Sequence, residues 1–219
     1  ISIPYLLVGL VVLWYPRGWM RWGAFASQRR AKRRRPRASA EDHKERLPGD
    51  ESLWLGEEFN KRRNWIDLLR GLAGGYAVAV VGIQVRAQGG ETGGATEVLL
   101  LIGGVLLMGV AAQTLRFEGR LAFYPPVFFL GGLSFALVGA KAAFFAFVAV
   151  WAVNLALPSA SVFLFCYSGF VLILGVLFGA PIKHAGLAAA LALAPVVASL
   201  LMRRRLMAQF GRKAKIVSR

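Results

Sequence analysis

The stretch Ser161–Ala180, SVFLFCYSGFVLILGVLFGA, is 20 residues long and carries no charged side chain. As an α-helix it is about 30 Å long, which matches the hydrocarbon core of a bilayer. Similar uncharged runs occur at 98–115, 142–157 and 185–202. A water-soluble domain has no interior in which to place several of them. Composition agrees, with 57% hydrophobic residues, 17% charged residues and a mean hydropathy of +0.54. A soluble domain is about 45–50% apolar and about 25% charged.

Working outward from that run, the sequence predicts an all-α, polytopic transmembrane bundle of about seven spans. The spans lie near 1–15, 65–85, 98–115, 123–140, 142–157, 161–180 and 185–202. Residues 1–22 form the first span with an aromatic interfacial end, where Trp14, Tyr15, Trp19 and Trp22 flank Arg17 and Arg21. Residues 23–63 form a basic and mixed-charge segment, and Trp54, Phe59 and Ile66 mark an amphipathic interfacial helix over 52–64. Six helices fill 64–202, and 203–219 is a basic tail. The paired prolines of FYPPVFF suit a helix's first turn, RFEGR reads as a turn, and Pro195 marks a kink. Residues around Lys141 also fit a re-entrant hairpin. No cleavable signal peptide is expected at the start, since no small-residue cleavage site follows the first apolar run.

The net charge of +16 is concentrated in two places. Residues 17–63 hold 14 basic and 7 acidic side chains, and residues 203–219 hold 7 basic and none acidic. Seven alternating spans put 23 Lys and Arg on one side and three on the other (Arg86, Lys141 and Lys183). The positive-inside rule then sets the N-terminus out and the C-terminus in. The expected location is a bacterial-type inner (cytoplasmic) membrane, crossed many times. The run QRRAKRRRPRA supplies Arg29, Arg30, Lys32, Arg33, Arg34, Arg35 and Arg37, and the tail adds Arg203, Arg204 and Arg205. Such juxtamembrane clusters gain about 1 kcal/mol per basic residue near anionic headgroups. Nucleic acid is the weaker expectation, because no aromatic residue interrupts the run to stack on bases.

Within the spans, Asp67 and Arg70 stand at i, i+3 in NWIDLLRGLAGG. An ionisable residue at membrane depth is a functional candidate, and mutual pairing or snorkelling is its structural alternative. The pairs Gly71-x3-Gly75 and Gly175-x3-Gly179 allow close backbone approach between helices. Gln84, Gln113 and Asn154 are candidate interhelical hydrogen-bonding groups. Phe144, Phe145, Phe147, Trp151, Phe163, Phe165, Tyr167 and Phe170 concentrate aromatic area on two successive spans. This area suits core packing, lipid contact or a partner surface.

The stretch IDLLRGLAGG resembles the opening of membrane acyltransferases. Those enzymes carry a histidine about one helix further on, where AVVGIQV has none, so the resemblance implies no such activity here. His43 and His184 fall on opposite predicted sides, and the single Cys166 permits neither an internal disulfide nor a cysteine zinc site. No Walker, Rossmann, HExxH or CxxC pattern occurs. The expectation is a membrane protein without catalytic machinery, cofactor or metal, most simply a structural, assembly or accessory subunit of a larger complex. Its partners would be lipids and other subunits or further copies of itself. A small transporter or lipid-handling protein is the alternative.

A reporter active only in the cytoplasm should work when fused after Arg219 and fail when inserted at Gly90. The opposite pattern would invert the orientation.

Overall fold

The computed structural model describes residues 2–15, 53, 55–82, 93–117, 121–203 and 206. Among them run α1 (Ile3–Trp14), α2 (Leu55–Asn60), and α3 (Arg62–Tyr76), which a π-helical turn, Ala77–Gly82, continues. Next comes α4 (Gly93–Thr114), and then the strands β1 (Leu115–Phe117) and β2 (Leu121–Phe123). The remaining helices are α5 (Val127–Val138), α6 (Ala140–Val153, ending in a 3-10 turn Asn154–Ala156), α7 (Ala160–Leu177) and α8 (Ile182–Leu201).

Among the described residues three helices are long and apolar enough to cross a membrane: α4 over Thr96–Thr114, α7 and α8. Their 18 to 20 residues correspond to about 27–30 Å of helix. Helices α1 and α5 have only 12 residues, about 18 Å, and α6 has 14, about 21 Å. The 15-residue α3 and its 6-residue π turn reach spanning length together, with a polar, charged first half.

Helix α5 is the centre of the bundle. Ten of its 12 residues are buried, so it is enclosed on all sides, as a helix apolar around its whole circumference requires. It packs on α3, α6 and α8. The α3–α5 contact is backbone against backbone. A Cβ added to Gly71 would strike the Phe129 carbonyl oxygen, and one on Gly132 would strike that of Leu68. Gly75 extends the same face toward Ala136 and Leu133, while Gly74 receives Leu13 of α1. Without a hydrophobic drive between helices in lipid, such close approach supplies the dispersion contacts that hold them. A single residue, Gly139, joins α5 to α6 at φ +82 and ψ 162, a region open essentially to glycine alone.

Hydroxyl groups link the inner helices further. Ser134 Oγ of α5 lies 2.6 Å from Tyr167 Oη of α7, and Ser168 Oγ donates to the Ala189 carbonyl of α8 at 3.0 Å.

Two local expectations are corrected, and two others gain structural detail. The interfacial helix expected over 52–64 breaks at Lys61, whose extended backbone caps α3, leaving α2 six residues long. On either side of the expected turn RFEGR, Leu115–Phe117 and Leu121–Phe123 pair as short antiparallel strands, Leu115 with Phe123 and Phe117 with Leu121. Pro125 and Pro126 precede α5 rather than opening it, and the Pro126 carbonyl accepts the Leu130 N–H at 2.9 Å. Pro195 lies inside α8, which extends from Ile182 to Leu201.

Replacing Gly132 or Gly71 by leucine should destabilise the bundle by at least about 1–3 kcal/mol, the usual range for overpacking. Gly104, whose added Cβ would meet nothing within 4 Å, should accept alanine without loss. Denaturant unfolding in detergent monitored by tryptophan fluorescence reads both.

Candidate functional site

Helix α1 stops at Trp14 because Pro16 follows and disfavours helical backbone at Tyr15. The end leaves carbonyl oxygens with no partner in their own helix. In water they would be solvated, but at membrane depth protein groups must satisfy them. Two side chains from different helices do this.

Arg70 of α3 donates from Nε and Nη2 to the Val12 carbonyl, at 3.1 and 2.9 Å, and from Nη2 to the Tyr15 carbonyl. Gln113 of α4 donates from Nε2 to the carbonyls of Leu13 and Tyr15, at 3.0 and 3.3 Å. Arg70 Nη1 also donates to Gln113 Oε1 at 3.5 Å, which links the two donors to each other. A fixed planar fork of N–H groups suits this bridging, and lysine could not reproduce it. A positive charge at a helix C-terminus is also favoured by the helix dipole. Asp67 lies one turn before Arg70, completely buried, with Oδ1 3.5 Å from Nη1, and it balances the guanidinium charge. Trp14 Nε1 completes the clasp by donating to the Val105 carbonyl of α4 at 3.3 Å.

Asp67, Arg70 and Gln113 therefore form one cluster that fastens α1 to α3 and α4. Asn154 is elsewhere: its Nδ2 donates to the Leu53 carbonyl at 2.6 Å, at the junction with the segment leading into α2. Gly71 and Gly75 face α5. Gly175 packs against Ala185 and Val138, whereas Gly179, at φ +86, ends α7 and would present a Cβ to open space. The Gly179 and Ala180 N–H groups return to the Val176 and Gly175 carbonyls, a Schellman termination. The aromatic residues separate by exposure. Phe147, Trp151, Phe163 and Tyr167 are buried, while Phe144, Phe145 and Phe165 are exposed. Gln84, His43, Arg29, Arg30, Lys32, Arg33, Arg34, Arg35, Arg37, Arg204 and Arg205 lie outside the described residues, and Arg203 is exposed at the end of α8.

A small recess of about 20 Å³, enough for one water, opens among Leu53, Glu58, Asn64, Tyr124 and Phe128. Among the described residues no group of three His, Cys, Asp or Glu side chains could hold a metal ion. Sequence reasoning missed Gly132, the reciprocal half of the α3–α5 contact, and the place of Phe59 and Phe128 in the aromatic cluster. The Gly131-Gly132 pair inside an apolar run was the available signal for the first. Compared with known proteins, the chain matches no family model, no curated protein and no solved structure.

Arg70→Ala should cost about 3–5 kcal/mol, since it leaves Asp67 as an uncompensated buried charge. Arg70→Met combined with Asp67→Leu should recover part of that loss, and Gln113→Leu alone should cost about 1–3 kcal/mol. Unfolding midpoints of the purified variants in detergent check the order.

Proposed function

We propose that the chain is a non-enzymatic, multi-pass membrane subunit with a structural, assembly or accessory role in a larger membrane complex. The observation that carries this reading is how the buried polar groups are used. Arg70 and Gln113 close the end of α1, Ser134 meets Tyr167, and Ser168 holds α8. These groups fasten helices to one another, and none is paired with a nucleophile or a metal-binding set. The extensive apolar exposure along α1, α6, α7 and α8 suits contact with lipid or with neighbouring subunits.

The seven-span arrangement, with the N-terminus out, belongs to the same proposal. In support, ends assigned to the basic side lie together. Tyr15 meets Arg70 and Gln113, Asn154 meets Leu53, and Phe123 bridges to Leu206. At the opposite ends, Lys183 Nζ donates to Thr96 Oγ1 at 3.1 Å. The basic segment between α1 and α2 and the basic tail would face an anionic leaflet in a bacterial-type inner membrane.

A small transporter or lipid-handling protein is the second reading, and convergence of Asp67, Arg70 and Gln113 favours it. Against it, these groups are engaged with the end of α1, and Asn154 does not join them.

Purification in mild detergent with native mass determination should give a particle heavier than one 23.8 kDa chain after subtraction of detergent and lipid. A monodisperse single chain with no companion would overturn the subunit reading. Substrate uptake or lipid flipping lost on Gln113→Ala, with unfolding stability retained, would establish the second.

A further inference from the structure

Helix α2 has six residues, well under the length at which an isolated helix holds together in water. Its order depends on what it touches. Phe59 is its plug: the ring lies 5.1 Å from that of Trp151, 5.2 Å from Phe128, 5.6 Å from Trp65 and 6.3 Å from Phe147. The backbone around it is held by side chains from outside the helix. Asn154 donates to the Leu53 carbonyl, Asn64 to the Glu58 carbonyl at 2.9 Å, and Trp65 Nε1 to the Phe59 carbonyl at 2.9 Å.

The junction is also imperfect. Asn154 Oδ1 and Trp151 Nε1 are both buried there without a hydrogen-bond partner. A buried polar atom left unpaired opposes the docked arrangement, as does the entropy of ordering a short segment. Lifting α2 would release both penalties. The opposing contribution is concentrated in one aromatic side chain.

We propose that α2, Leu55–Asn60, is a clip with two positions, docked on the bundle through Phe59 and undocked as a unit, while α3 and α5–α8 keep their packing. Undocking uncovers the aromatic recess formed by Phe128, Phe147 and Trp151 and hydrates Asn154 and Trp151.

Hydrogen–deuterium exchange of the full chain in lipid nanodiscs tests this. In the wild type, the peptide covering 55–60 should exchange at least about tenfold faster than that covering 127–138, as expected of a locally opening unit. Phe59→Ala should accelerate the first by about a further tenfold and leave 127–138 and 160–177 unchanged. Equal protection of the clip and α5 in the wild type would overturn the proposal, and that comparison decides the matter even if the variant fails to fold. Loss of protection in α5 together with the clip in Phe59→Ala would overturn it as well.

Discussion

A helix that ends away from water leaves carbonyl oxygens that other protein groups must satisfy, and at the end of α1 two side chains do so. The carbonyls released where α1 stops at Trp14 are taken up by Arg70 and Gln113. Because these two residues come from different helices, closing α1 also fixes α3 against α4. The guanidinium then needs a counter-charge, and Asp67 supplies it from the preceding turn of α3. A helix end, a cross-link and a buried ion pair are thus successive requirements of one constraint. A buried ion pair is seldom stabilising by itself, since desolvation offsets the attraction. Here its use is to keep a donor fork charged and aimed.

The same helix, α3, presents its glycines to α5 and α1. Gly71 and Gly75 bring α5 to backbone contact, and Gly74 accepts Leu13. The guanidinium and the glycine face lie on adjacent turns, so the polar fastening and the close packing reinforce each other. Displacing α3 along its axis would break both at once. The aromatic cluster around Phe128, Phe147 and Trp151 extends the packed interior to α2.

Much of this was legible in the sequence, for a physical reason. Uncharged runs such as Ser161–Ala180 and Ala185–Met202 record the solvent directly, so helices appear where hydropathy places them. Asp67, Arg70 and Gln113 stood out because polar groups are rare at such positions. What they contact was not legible, because it depends on α1 ending 55 residues before Arg70 and 98 before Gln113. Gly179 shows the opposite limit. Its spacing from Gly175 fits a packing pair, but the backbone sign that makes it a helix terminator has no signature in spacing. The hairpin at Leu115–Phe123 escaped because RFEGR is too short to display strand alternation. The break at Lys61 escaped because it depends on Asn64 reaching back to Glu58.

Enclosing α5 has a further consequence for how the molecule meets lipid. Hydrophobic mismatch acts only on surfaces that acyl chains touch. At about 18 Å, α5 would strain any bilayer it faced, yet it is surrounded by α3, α6, α7 and α8 and is insulated from the acyl chains. The thickness of the surrounding membrane therefore presses on the perimeter, above all on α4, α7 and α8. Shielded in this way, α5 is free to be as long as its neighbours require.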